Sequence, residues 1–566
     1  MTASRDTMGF MGEWFSHPEW WFSAKKNSEV DDYITKCYGH LLFELPVAHQ
    51  SPITTIIIYD QLPHHVFRKD RGAQHIVSYY LQKAIALVDF HKYNMDLMNT
   101  MTTHEWMFFW LPYRHSRDPK KCFEVLNHIL YRLKTNINTS ADDIMWLKRY
   151  LRATLQRFPT ESQTTTDHLQ YYPPSKETEH ILPPYELQRK YMPLLDSETV
   201  LLSSSIYDMD PEDSGLFIDN RSTQHSLSYQ MNQEKKRYEF VIVSLSGGVD
   251  SMVALDIARK TYRRVVAVHI NYNNRKESKG EEMFLRDWCN YLGIPLFVRR
   301  ITEVSRRELS QLELRDVYES YTKEVRFGTY AEVATRFTKN AIAISPPVVP
   351  VILGHHADDV VENIVQNITS MSKYENLNGM EEYTSIAKYP HITLWRPFLK
   401  TPMIYKTAIL DYAHNNHVLY FKDTTSVTCT RGRYRLYLSH ALDAYDVKTK
   451  GAFLYTSNVV SDLYDFMKDR VEEWSQLCQH GCLSDIKISS PPPHLPLFWK
   501  EYLQKNYAVV PTMKTMGYLS AAIKNHLETK KRVSVMIRKH VKLTIEKKQK
   551  KGDIIPYYLI SVTHTA

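Results

Sequence analysis

The chain has 566 residues, 43% apolar and 24% charged, with a formal net charge of +8, so it is longer than one hydrophobic core and implies about three or four domains. Its composition is that of an ordinary soluble protein; no uninterrupted apolar run is long enough to span a bilayer, so no membrane partner is expected. Six cysteines without a C-x-x-C pair exclude a disulfide framework and a structural zinc site of usual spacing. Residues 1–160 read as an all-helical domain, with periodic apolar positions, few β-runs and several tryptophans. From 161 to 235 Ser, Thr, Gln, Asp and Pro dominate, as in TESQTTTDH and DMDPEDSG, which reads as a polar linker with short ordered pieces. Over 236–445 strands and helices alternate: EFVIVSL, RVVAVHI, IPLFVRR and PVILG are separated by helical stretches near Gly280–Leu292 and Asp316–Lys339. That order predicts a doubly wound parallel sheet of the α/β class, with ligands at the carboxyl ends of the strands. Residues 446–566 are expected to form a small α+β domain. It ends in a basic tail with eleven Lys or Arg against two Glu between Lys524 and Lys551, which suits either a nucleic-acid backbone or a solvated hairpin. No secretory signal opens the sequence, and its first residues lack an Arg-rich transit pattern, so a cytoplasmic location is expected, an organelle being the alternative.

The most specific local signal is SGGVDS, Ser246 to Ser251, set between the apolar run Glu239–Leu245 and a helical segment whose Val253, Ala254, Ile257 and Ala258 share one face. Strand, glycine turn and helix in that order aim backbone N–H groups at an anion, and Gly247 and Gly248 permit close approach of the main chain. Ser246 and Ser251 add hydroxyl donors. Asp250 would repel a bare phosphate, so a magnesium ion bridging it to a nucleotide is expected. No lysine closes the loop, which sets it apart from the GxxxxGK[ST] nucleotide loop.

A second cluster follows PVILG: GHHADDVVEN, with Gly354, His355, His356, Asp358, Asp359 and Glu362. On a helix entered at His356, Asp359 and Glu362 share a face. Favourable interaction with the helix dipole accounts for one or two acidic groups there, whereas two histidines beside three carboxylates suit a site that holds magnesium and deprotonates a nucleophile.

These residues carry a resemblance. SGGVDS resembles the PP-loop of the ATP pyrophosphatase superfamily, whose members split ATP between the α- and β-phosphates and adenylate a substrate; the implied fold is that of the adenine nucleotide alpha hydrolases. GHHADDVVEN resembles the G-H-H-x-D-D-x-x-E-T motif of the tRNA(Ile)-lysidine synthetases. VRFGTY (Val325–Tyr330) is similar to that family's R-x-x-R-Y helix, LNGM (Leu377–Met380) to its G-L-x-G-M turn, and WRPFL (Trp395–Leu399) to its R-P-L-L strand. KDTTS (Lys422–Ser426) with RGRYR (Arg431–Arg435) resembles D-x-T-N followed by R-N-x-I-R. Thr329, Ser426 and Gly432 depart from the pattern, as does HINYNNR (His269–Arg275) against H-x-D-H-G-L-R; the ATP-binding residues are intact. In the first domain, EWFSHPEWWF, YDQLPHHVFR, WLPYRHS and RFP are similar to the motifs of the all-helical domain of unknown function 924 family, whose fold is like a tetratricopeptide superhelix. The matching positions are Trp20, Trp21, Asp60, Gln61, Arg68, His115 and Ser116, which suit a buried network as well as a site.

The resemblance implies ATP and Mg2+ as cofactors, and tRNA and free lysine as substrates. ATP, bound by Ser246, Gly247, Gly248, Val249, Asp250 and Ser251, would adenylate C2 of a wobble cytidine, and the ε-amine of lysine would displace AMP. Lysine has an ordinary pKa of about 10.4, so a group must remove a proton: Asp359 or Glu362 first, His356 second. Asp250 and Asp358 are the expected magnesium ligands. Arg326 would neutralise charge on the departing nucleotide, and Arg396, Arg431, Arg433 and Arg435 would meet tRNA phosphates. Two alternatives stand. One is a tRNA thiolation enzyme, disfavoured because Cys289 and Cys429 are unpaired in the catalytic region. The other is a non-catalytic RNA-binding protein whose helical first domain docks a protein partner.

Overall fold

The computed structural model describes residues 2–21, 28–43, 51–116, 118–135, 140–157, 169–175, 181–196, 231–235, 237–338, 348–369, 380–400, 403–422, 430–446, 448–478, 485–488, 493, 495–507, 509, 511–529, 532–538, 541–548 and 557–564. Contacts divide the chain into two compact units. The first comprises Met1–Gly354, Tyr383–Pro397 and Thr407–Asp423; the second comprises His355–Glu382, Phe398–Lys406 and Thr424–Ala566.

The first unit begins with helices, among them Thr2–Ser16, Ser28–Tyr38, Pro52–Val66, Gln74–His91, Thr103–His115, Pro119–Thr135 and Ala141–Arg157. Local chemistry starts them. Pro52 occupies the first turn of its helix, and Thr102 with Glu105 forms a reciprocal capping box ahead of Thr103–His115. Those two helices are buried almost all round, as central helices must be. Trp14, Phe109, Trp110, Tyr113 and Tyr150 fill the space about them. The helices meet the following α/β region through three ion pairs: Lys134 with Glu308 at 2.7 Å, Lys148 with Glu313 at 3.2 Å and Arg152 with Asp316 at 3.1 Å.

The α/β region is a seven-stranded sheet in the order β1-β4-β3-β2-β5-β7-β6. Its strands are β1 Leu169–Tyr172, β2 Phe240–Ser244, β3 Arg264–Asn271, β4 Leu296–Arg300, β5 Val349–Ile352, β6 Tyr383–Ser385 and β7 Ile392–Trp395. The inner five run parallel, and β1 and β6 add antiparallel edges. β2 is central, pairing Val243 with Ala267 on one side and Ile352 on the other. Its apolar run is buried throughout apart from Ser244, which is why it carries no polar alternation. Chain order reverses between β2 and β5, the switch point where open α/β sheets form their crevice. Within the stretch read as a polar linker, Leu169–Tyr172 pairs with β4, and helix Pro184–Tyr191 packs Tyr191 on Phe284 with ring centroids 5.4 Å apart.

The second unit holds helix Ala357–Thr369, the short helix Thr430–Arg433 continuing through a π-turn at Tyr434–Leu438 into Ser439–Tyr445, and helices Thr449–Cys478, Pro496–Tyr507 and Met513–Thr529. An antiparallel sheet completes it in the order β8-β11-β10-β9: β8 Asp485–Ile488, β9 Val533–Arg538, β10 Val541–Lys548 and β11 Tyr557–His564. Trp499, Tyr502, Ile523 and Leu543 lie in one core of this unit, and Val361, Ile364, Leu399, Tyr434 and Leu454 in another. No helix among the described residues is long and apolar enough to cross a membrane.

Candidate active site

β2 ends at Ser244, whose hydroxyl lies 2.6 Å from that of Tyr330. The chain then turns through Ser246–Gly248 into helix Val249–Thr261. Gly247 has φ of +88°, in the left-handed region open to glycine, and a Cβ there would overlap the Phe421 ring. At Gly354, just past β5, a Cβ would lie 2.7 Å from the Asp250 carbonyl, so that glycine lets the switch-point strand close on the loop. Ser251 Oγ accepts the N–H groups of Ser246 (3.1 Å) and Gly247 (3.2 Å) and donates to Gly248 O (3.0 Å). This hydroxyl, read from sequence as a donor to the ligand, is the staple that shapes the turn. Gly248 N–H bonds Ser246 Oγ at 3.4 Å and Ser251 N–H bonds Gly248 O at 3.1 Å, so the anion site rests on the helix dipole and the start of the first turn at Val249 and Asp250.

Two residues that sequence reading did not single out brace the loop. His269, buried on β3, donates from Nδ1 to the Leu245 carbonyl at 2.8 Å, and burial pushes its pKa down, so the ring is neutral and the donor tautomer is set by that bond. Phe421 donates its N–H to Gly247 O at 2.9 Å. His269 heads the HINYNNR segment, which offered a signal; Phe421 offered none, being one aromatic residue in a buried run. Arg326 is half-buried one turn before Tyr330, and its Nε has no hydrogen-bond partner among the described residues. Arg396 donates to Thr384 Oγ1 at 2.9 Å, tying β7 to β6.

In the second unit, helix Ala357–Thr369 carries the acidic motif. Asp359 and Glu362 are buried, their side chains 6% and 8% exposed. Two buried carboxylates on one face require cations, and Arg431 and Arg435 supply them. Arg431 reaches Asp359 at 2.9 Å and Glu362 at 2.8 Å; Arg435 reaches Asp359 at 3.4 Å and Glu362 at 3.2 Å. The structure therefore places these arginines, aimed at tRNA phosphates by sequence reading, on the carboxylates instead; Arg433 of the same segment is exposed. His356 is buried between Asp358 (3.5 Å) and Asp359 (3.4 Å). Burial alone would raise the pKa of Asp359, but His356, His355, Arg431 and Arg435 outweigh it and hold the group below the usual range.

Asp358 is engaged differently. Its Oδ2 accepts the Lys406 N–H at 2.9 Å, and Oδ1 pairs with Lys450 Nζ at 3.0 Å. Burial is again outweighed, here by His356, the Lys406 amide and Lys450, and the carboxyl is held well below its usual range. An ammonium on one oxygen and an amide on the other do not fit a magnesium ligand. Among the described residues no group of three His, Cys, Asp or Glu is placed to hold a metal. Asp358 ties helix Thr449–Cys478 to the motif helix.

In the helical region, Asp60 lies 2.8 Å from His115 Nδ1 and accepts from Gln61, while Asp31 joins His65 and Arg68, each at 2.8 Å. Trp21 Nε1 donates to Trp14 O at 2.7 Å and Ser116 Oγ to Tyr113 O at 2.6 Å. Trp20 lies edge-on to Trp14. Leu377–Gly379, Asp423–Ser426, Cys429 and Phe158–Pro159 of the sequence motifs lie outside the described residues.

Residues 221–441 match a family model described as a PP-loop domain. The chain is also similar to proteins named tRNA(Ile)-lysidine synthase. It is 24% identical to that of Staphylococcus epidermidis over 196 residues, 33% of this chain and 39% of the relative. Against that of Chlamydia muridarum it is 30% identical over 193 residues, 34% and 53% of the two chains. Against that of Bacteroides thetaiotaomicron it is 24% identical over 290 residues, 50% and 60%. The chain thus spans less than two thirds of the length of each of these relatives.

Proposed function

We propose that the chain is an ATP-dependent tRNA ligase of the lysidine synthetase type. The loop Ser246–Ser251 binds the phosphates of ATP at the helix N-terminus, and the cytidine O2 attacks the α-phosphorus as pyrophosphate leaves. The ε-amine of lysine then attacks C2, and AMP departs with the former O2. A magnesium ion carried by the nucleotide would offset phosphate charge beside Asp250. Arg326, one turn before the Tyr330 whose hydroxyl meets that of Ser244 at the end of β2, would meet the same charge from the protein side. Asp359 and Glu362 receive the amine and its proton. Arg431 and Arg435 stand on those carboxylates, so an incoming ammonium exchanges with a guanidinium.

The observation carrying this reading is the glycine loop at the sheet's switch point; the helix Ala357–Thr369, which follows β5 in the chain, adds two buried carboxylates that face cations. Thiolation is disfavoured by Cys289, which is 1% exposed with its thiol pKa pushed up by burial, the opposite of what a sulfur carrier needs. We further propose that residues 1–160 have the tetratricopeptide-like fold of the domain of unknown function 924 family and dock a protein partner, and that Arg396 and Arg433 contact tRNA. The functional test is release of AMP and pyrophosphate from ATP, dependent on both tRNA and lysine. Release without either substrate, or none with both, contradicts the proposal.

A further inference from the structure

The phosphate loop has no side chain of its own at its tightest point, and a residue from a distant segment fills that place. The Phe421 ring lies against Gly247 Cα where a Cβ would be, and its N–H bonds the Gly247 carbonyl at 2.9 Å. One residue thus fixes both faces of the left-handed peptide, which otherwise has the freedom of glycine. Phe421 is itself held. It is 8% exposed, its ring centroid lies 5.2 Å from that of Phe284, and it bridges Leu195 in antiparallel fashion, while Lys422 N–H bonds Leu194 O at 3.2 Å. The loop is therefore clamped by two segments outside the strand–turn–helix unit that the glycine motif defines.

We propose that Phe421 is a positioning residue for ATP: it holds Gly247 in the conformation that presents the loop to the nucleotide. This rests on the reading of the loop as the ATP site. Preorganisation lowers the cost of binding, so losing the ring weakens ATP binding and leaves the amine-transfer step alone. In the full chain, Phe421→Ala raises the ATP dissociation constant by about tenfold or more, with lysine KM and kcat at saturating ATP within about twofold of wild type. Phe421→Leu, which keeps bulk at the site, restores most of the affinity. A folded Phe421→Ala chain with unchanged ATP affinity, or with equal losses in every KM and in kcat, overturns the assignment. Should the alanine variant not fold, Phe421→Leu and Phe421→Val are compared; affinity that does not follow side-chain bulk overturns it equally. A wild-type chain that binds no ATP refutes the functional reading instead. The positioning claim is then read from hydrogen exchange: the Ser246 and Gly247 amides, which bond Ser251 Oγ, exchange faster when the ring is removed, and unchanged rates overturn it.

Discussion

Replacing both Arg431 and Arg435 by Gln separates a buried ion cluster from a surface one. The carboxylates are 6% and 8% exposed, whereas the arginines are 48% and 34% exposed, so the two halves of the cluster are not equivalent. Removing the guanidinium groups leaves two desolvated charges with only His356 beside Asp359 and the Gln366 amide on Glu362, whereas stripping a buried pair of its partner costs about 3–5 kcal/mol. Water reaching the half-exposed site reduces this to about 2–3 kcal/mol. For a unit of about 150–250 residues that corresponds to a Tm drop of about 4–12 °C. The reverse experiment, Asp359→Asn with Glu362→Gln, leaves arginines that rehydrate and costs about 1 kcal/mol or less. The arginine variant also acquires a pH signature. Its carboxyls, without the guanidinium groups, have folded pKa values raised above the unfolded value of about 4, so its deficit is full above the raised pKa and fades as pH falls toward 4. Thermal or urea unfolding of both variants at pH 7 and pH 4.5 reads the comparison. Equal losses, or a pH-independent deficit in the arginine variant, refute the cluster as the reason these arginines are placed there.

Asp250→Ala should abolish ATP-dependent AMP release in a chain that still unfolds cooperatively, Asp250 being half-buried in the first turn of its helix; unchanged turnover removes Asp250 from the nucleotide site. Asp358→Asn should leave the magnesium midpoint for activity unchanged, because the Lys450 ammonium and the Lys406 N–H already engage both oxygens of that carboxylate. Lys450→Met should destabilise the chain by about 1–3 kcal/mol in urea unfolding by stranding the Asp358 charge; a magnesium midpoint moved several-fold by Asp358→Asn would restore it as a ligand. Cys289→Ala should retain turnover, and the purified protein should contain no iron or sulfide; loss of turnover in a folded variant favours sulfur chemistry.

The strand–loop–helix unit was legible because its signals are local. An apolar run with no polar alternation, two glycines and one helical face predicted a strand over Glu239–Leu245 and a helix over Met252–Lys260; the strand is Phe240–Ser244, and the helix starts three residues earlier, at Val249 within the glycine motif. The parallel inner sheet followed from the alternation of elements. The edges did not: Leu169–Tyr172 is four residues in a polar stretch, where pairing with β4 decides the conformation. The acidic motif announced its residues without their partners. A run such as RGRYR reads the same whether its arginines face phosphates or carboxylates, and only burial of Asp359 and Glu362 chose between them. Asp358 looked like a metal ligand because Lys450, its ammonium partner, lies far along the chain. Phe421 was invisible for the same reason: its contact with Gly247 is made by the fold, across segments with no shared pattern.

Nucleoside mass spectrometry of an isoleucine tRNA incubated with the full chain, ATP, magnesium and lysine tests the central claim most directly. The account predicts a modified cytidine carrying one lysine less one water, dependent on ATP and lost in the Asp250→Ala chain. A cytidine left unmodified, or one that gains sulfur in place of lysine, contradicts it.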